Sequence, residues 1–185
     1  MADVDRRVRK TQKHLRDALV ELVLERGWDQ ISVTDVCDRA DVGRSTFYVH
    51  FADLEDLLVS GFDDLHEALS AARVKASGSF GFVGPLFEHA KENSRLMQAV
   101  AGRKSGQTVQ RRFRDVTVRL VEGELAASGL PAGSARHHTA RYVSGALVEL
   151  LLSWLETPRG LDAEGVATVF KQLSKGVVSV ARSQL

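Results

Sequence analysis

One cysteine, Cys37, stands among 185 residues, so the chain can form no internal disulfide and is not a disulfide scaffold. Proline is nearly as scarce, with only Pro85, Pro131 and Pro158. Sustained alternation of apolar and polar residues is missing too, and without it there is no strand signal. The N-terminus, Met-Ala-Asp-Val-Asp-Arg-Arg, carries no apolar signal core. The greasiest stretch, Gly145 to Leu155, contains Glu149 and falls short of the roughly 20 residues of a membrane span. A soluble, cytoplasmic protein without membrane contact is the expectation. Excess charge is lacking as well: the formal net charge is +1. The molecule is no polycation, so a nucleic-acid binder of this composition must gather its bases in one place. At 44% hydrophobic and 26% charged residues the chain has ordinary globular composition, which excludes a disordered or collagen-like chain.

Helical spacing is what the sequence does have. Val8, Leu15, Leu19, Leu22 and Val23 share one face of a first segment that Gly27 stops, and Trp28 then folds back onto the core. Ser32 is an N-cap candidate for a short second helix, with Asp35 three residues on as an acidic form of the capping box. Val33, Val36, Cys37 and Ala40 stand at i, i+3, i+4 and i+7 of it. A third helix is expected from about Arg44 to His50 with Phe47 and Phe51 inward, and Asp53 can cap a fourth along Leu54, Leu57, Leu58, Phe62, Leu65 and Leu69. Ala76-Ser77-Gly78-Ser79 is the clearest break. Beyond it the spacing predicts helices around 82–92, 94–101, 107–128, 134–156 and 163–181. The fold class is therefore all-α. A three-helix N-terminal domain is expected over 1–53, a connecting helix over 54–76 and a helical body over 77–185.

Residues 32–51 place two very short helices on either side of Asp41-Val42-Gly43. Small Ala40 lets the helices approach and Val42 plugs the corner, as a helix-turn-helix requires. The outward face of the second helix carries Arg44, Ser45, Thr46 and Tyr48, side chains of the lengths that reach base edges and phosphates. Upstream, Arg6, Arg7, Arg9, Lys10, Lys13 and Arg16 follow one another with no acid between them, a pattern suited to phosphate. A solvated helix face, or an ordinary helix corner, would account for either feature alone.

Together with the residues around them, these features make the stretch from Thr11 to Leu58 closely resemble the DNA-binding domain of the TetR family of bacterial transcriptional regulators. The match runs through Leu15 to Leu24, Glu25-Arg26-Gly27-Trp28, Ile31 to Cys37, Ala40-Asp41-Val42-Gly43, Ser45-Thr46-Phe47-Tyr48-Val49-His50-Phe51 and Leu57-Leu58. The Thr-Phe-Tyr-x-His-Phe run is its most specific part. The resemblance implies a phosphate or base-edge contact at Thr34, groove reading by Arg44, Ser45 and Thr46, phosphate anchoring by Tyr48 and His50, and core positions for Phe47 and Phe51. The chain departs from the family pattern at Gly43, where serine is usual, at Ser45, where glycine is common, and at Leu54, where lysine often binds phosphate. Asp53 beside Leu54 repels DNA.

The resemblance further implies a regulator, most naturally a repressor, acting as a homodimer on a palindromic double-stranded DNA operator and answering to an unidentified small-molecule effector. In the family the middle helices enclose that effector, and Phe87, Met97, Phe113 and Trp154 are the candidate pocket residues here, although the same residues would serve equally as core. From Tyr142 to Leu155 apolar residues go nearly round the helix, which calls for partners on all sides. Leu147, Leu150, Leu151 and Trp154 there, with Phe170, Leu173 and Val177 of the last helix, are the expected interface between two subunits. Trp154-Leu155-Glu156 with Leu161-Asp162 is also weakly similar to regulators with a dihydroxyacetone-kinase-regulator-type C-terminal domain.

Other chemistry finds little footing. Six histidines make no His-x-x-x-His pair, and with one cysteine no metal site is expected. Cys37 reads as a small buried hydrophobe. Gly78, Gly81 and Gly84 lack the Lys-Ser/Thr pair of a phosphate loop, and no nucleophile has a motif around it, so neither an enzyme nor a cofactor is expected. Arg103, Lys104, Arg111, Arg112, Arg114 and Arg119 form a second basic cluster outside the stripe of Val109, Phe113, Val116 and Leu120, read as a solvated face. The rival to a DNA-binding regulator is an adaptor or coactivator that uses the same fold to bind a protein.

Overall fold

The structure, a computed structural model, describes residues 2–76, 78–96, 104–156 and 160–183. Among these residues there is no strand, and no helix is long and apolar enough to cross a membrane. The helices are α1 (Ala2–Arg26), α2 (Val33–Ala40), α3 (Arg44–His50), α4 (Leu54–Lys75), α5 (Val83–Glu92), α6 (Lys104–Ala127), α7 (Ser134–Glu156) and α8 (Ala163–Ser183), with a 3-10 turn at Trp28–Gln30. The helix expected around 94–101 falls largely outside the described residues.

The chain divides into two compact units, one of Met1–Gly61 with Arg95–Gln110 and one of Phe62–Ser94 with Arg111–Leu185. The division falls inside α4, where one continuous helix leaves no composition shift to read.

In the first unit, Leu15, Ala18, Leu19, Leu22 and Val23 of α1 close over Val36 and Cys37 of α2, Phe47 of α3, Phe51 and Leu57. Trp28 packs on this core, as do Leu54, Leu58, Leu96 and Val109. Gly27, at φ 77°, ends α1 in a left-handed conformation that favours glycine.

In the second unit α5, α7 and α8 pack on one another. Phe80 lies edge-on to Phe170 with ring centroids 5.6 Å apart, and Phe87 lies edge-on to Trp154 at 5.4 Å. The Trp154 indole N–H donates to the Leu161 carbonyl at 2.9 Å, tying the end of α7 to the start of α8. Phe113, Val116, Leu120, Val121 and Leu125 form the buried stripe of α6, while Arg111, Arg112, Arg114 and Arg119 are exposed; Arg119 pairs with Asp63 at 3.6 Å.

Four of the residues expected between subunits lie instead inside one. Leu147, Leu151, Trp154 and Phe170 are buried within the second unit, because α5 and α8 supply the partners that α7 needed. Leu150 and Val177 are half-buried and Leu173 is exposed. The outward face of α7 and α8 carries Tyr142, Leu152, Val169, Leu173 and Val180. Of the candidate pocket residues, Phe87 and Trp154 meet and Phe113 faces Phe62 at 6.2 Å, all buried; Met97 lies outside the described residues.

Candidate nucleic-acid interface

Local chemistry builds the corner that presents α3. The Ser32 hydroxyl accepts from the Asp35 amide at 3.2 Å while the Asp35 carboxylate accepts from the Ser32 amide at 2.8 Å, a complete capping box on α2. The Ser32 hydroxyl also donates to that carboxylate, and this bond, then the one from the Ser32 amide, holds the Asp35 carboxyl below its ordinary range, with help from nearby Arg26. At the other end Asp41 is left-handed, with φ 53°, its amide donates to the Asp38 carbonyl at 3.4 Å, and the Val42 amide donates to the Cys37 carbonyl at 3.0 Å. This is a Schellman ending, and it turns Val42 onto the core behind the corner. The α6 helix ends the same way at Gly129, whose φ is 85°.

A charged clamp fixes α2 on α1. Arg39 donates to both oxygens of Glu25 at 2.9 and 2.8 Å and to Glu21 at 3.1 Å. The Arg39 hydrogen bond lowers the Glu25 pKa and the two carboxylates raise that of Arg39. Arg39 is thereby committed to α1, and Arg44 is the arginine that α3 itself presents.

The α3 helix starts after Gly43, whose φ of −63° and ψ of 142° suit any residue. The Phe47 amide closes the first turn on the Gly43 carbonyl at 3.0 Å, and no side chain caps the helix. Phe47 is wholly buried and sets the helix's roll. Arg44, Ser45, Thr46 and Tyr48 are consequently exposed, His50 is half-buried and Thr34, in the first turn of α2, is exposed. The Tyr48 ring stands edge-on to Phe47, centroids 5.3 Å apart, and remains 53% exposed. The His50 ring lies 6.2 Å from that of Phe51. All six candidate DNA contacts thus lie on the two short helices α2 and α3. Val49, which the sequence reading passed over, is also on the exposed side of α3; its spacing of four from Ser45 was the available signal.

The departures near α4 have structural roles. Asp53 accepts from the Asp56 amide at 2.8 Å and so caps α4, and half-buried Leu54 packs on the first unit's core. Arg16 of the basic α1 segment reaches Ser60 of α4 at 3.4 Å, and Lys13 pairs with Asp17 at 2.6 Å. Burial pushes the Cys37 thiol upward, against the effect of Arg44, as suits a packing residue. No group of three metal-ligating side chains occurs among the described residues.

Residues 15–60 match the model of the TetR family of bacterial regulatory proteins, and residues 80–176 match that of a transcriptional regulator C-terminal region. The chain belongs to the TetR family. This TetR-family chain is 27% identical over 164 residues to the HTH-type transcriptional repressor KstR of Mycobacterium tuberculosis, covering 80% of this chain and 72% of KstR. It is 27% identical over 160 residues to the HTH-type transcriptional regulator TcmR of Streptomyces glaucescens, covering 86% of this chain and 54% of TcmR, so it spans about half of that relative's length. A solved TetR-family structure from Syntrophomonas wolfei shares the fold, with a TM-score of 0.67 at 17% identity over 92% of this chain and 96% of that one. The chain is accordingly a helix-turn-helix, DNA-binding transcriptional regulator, from a family of regulators rather than enzymes.

Proposed function

We propose that the chain is a homodimeric, effector-responsive repressor that acts in the cytoplasm on a palindromic operator. The observation that carries this reading is the capped corner of α2 and α3, in which buried Phe47 fixes the helix and leaves Arg44, Ser45, Thr46 and Tyr48 all exposed. Each subunit places α3 in a major groove. Arg44, Ser45 and Thr46 meet base edges there, while Thr34, Tyr48 and His50 hold flanking phosphates. The bases from Arg6 to Arg16 add phosphate contacts along α1. KstR, named as a repressor, supports the sense of regulation.

The apolar outward face of α7 and α8, with Tyr142, Leu152, Val169, Leu173 and Val180, joins two copies, with Leu150 and Val177 at its margin and the buried Leu147, Leu151, Trp154 and Phe170 supporting it from beneath. The dimer sets the spacing of the two recognition helices at about 34–36 Å, or somewhat further. An effector received among the aromatic residues Phe87, Phe113 and Trp154 favours a dimer geometry that no longer matches that spacing. It acts only through its different affinities for the two geometries.

The test is fluorescence anisotropy on duplex DNA taken from beside the chain's own coding region, titrated at rising salt. A regulator of this kind forms a complex that weakens with salt, and Arg44→Ala with Tyr48→Ala abolishes it. Absence of any salt-sensitive complex at low ionic strength refutes the reading; an adaptor would bind its protein partner undiminished by the same two substitutions.

A further inference from the structure

No large apolar side chain among the described residues is more exposed than Val49, at 77%. It sits on the recognition helix. An α-helix turns about 100° per residue, so Ser45 and Val49, each two residues from buried Phe47, flank the line pointing directly away from the core. Thr46 and Tyr48 stand at the sides of the helix, and Arg44 starts from the core-facing half and must reach round. Ser45 and Val49, one turn apart, are the side chains that enter deepest when this face meets DNA.

The two differ in what they can discriminate. A serine hydroxyl donates or accepts and so suits either kind of base edge. Valine does neither. Opposite a guanine edge or a cytosine amino group it strips water from a polar atom and returns nothing. The one apolar group on the major-groove floor of unmodified DNA is the C5 methyl of thymine. The β-branched side chain is already stiff, so little rotamer freedom is lost on contact. We propose that Val49 contacts a thymine methyl, one in each half-site, and fixes that position of the operator. This rests on the DNA-binding reading above.

The test starts from a random duplex library selected with the full chain. Each thymine of the enriched half-site is then replaced singly by deoxyuridine, which removes the methyl and leaves the pairing intact. At one thymine per half-site the wild-type chain should lose about threefold to tenfold in affinity. Val49→Ala should bind the methylated and unmethylated duplexes alike, and Val49→Thr, which keeps the shape and one methyl, should retain part of the difference. At such an exposed position both variants should keep the wild-type circular dichroism. If no thymine is methyl-sensitive, or if Val49→Ala keeps the full sensitivity, the contact is overturned while DNA binding stands. If no duplex is enriched, the DNA-binding reading falls and takes this contact with it.

Discussion

Exchanging Leu173 for glutamate distinguishes an interface residue from a core residue. Leu173 is 69% exposed on α8, beside Val169 and Val180 on the same outward side, and a two-fold dimer places it in the contact twice. Fully burying a leucine is worth about 1.5–3 kcal/mol. About two thirds of that is still to be gained here, so two copies contribute about 2–4 kcal/mol, or roughly 30-fold to 1,000-fold in the dimer dissociation constant. Two carboxylates brought into an apolar contact weaken it further. Sedimentation velocity over a dilution series should show the variant as a monomer where the wild type is a dimer, with helical circular dichroism retained. Leu147→Ala is the contrast, since that side chain is wholly buried within the second unit. It should lower stability by about 2–5 kcal/mol through the cavity it leaves. A Leu173→Glu protein that dimerises as tightly as the wild type would refute the assignment of this face.

Gly43→Ser should raise stability by about 0.5–1.5 kcal/mol, adding the N-cap that α3 lacks and removing glycine's unfolded-state freedom; the nearest atom to a new Cβ is the Ser45 hydroxyl oxygen at 3.8 Å, and an unchanged melting temperature would contradict this. Gly81→Ala and Gly123→Ala should move stability in opposite directions. A Cβ on Gly81 would lie 2.2 Å from that of Ala76, an overpacking that costs about 1–3 kcal/mol. One on Gly123 meets Arg73 at an ordinary 3.5 Å inside α6, where alanine gains about 0.5–1 kcal/mol in urea unfolding. Ser32→Ala releases Asp35 from the hydrogen bond that lowers its pKa most. A carboxyl with a lowered folded-state pKa contributes stability above its ordinary value and loses it as pH falls through the folded one. The stability gap between wild type and Ser32→Ala should therefore be widest near neutrality and shrink below the ordinary carboxylate range; a gap independent of pH would count against the capping box as its source.

Where the chain turns was legible, because turn chemistry is local. Gly27 and Gly129 stop helices and Ser32 and Asp53 start them through contacts made within four residues. Which way an apolar residue faces was legible only where the pattern was one-sided. In α2 and α3 the single inward stripe ending in Phe47 left no choice, and the candidate DNA face followed from it. In α7 apolar residues surround the helix, so nothing local distinguished Leu147, buried against its own subunit, from Leu152, which is exposed. That distinction depends on α5 and α8, brought there by tertiary packing. Leu54 was likewise visible as a departure from a family lysine, yet its place on the core depends on where α4 lies against α1 and α2.

The near-zero net charge has a similar resolution. Residues 1–51 carry nine bases and nine acids, which by count alone argues against binding a polyanion. The acids are not spread evenly over the exposed surface. Glu21 and Glu25 hold Arg39, Asp35 completes the α2 cap and pairs with Arg26 at 3.4 Å, and Asp17 pairs with Lys13. Ion pairs inside the unit cancel most of their own field at a distance, whereas α3 carries Arg44 and no acid at all. Affinity for DNA then depends on which few cations reach phosphate, and the salt dependence should be that of a handful of contacts, about 0.9 in slope for each, rather than that of a polycation. Sequence-independent attraction of that size is modest. Discrimination must come from side chains exposed on α3, where Arg44, Ser45 and Val49 each offer a base edge a different chemistry.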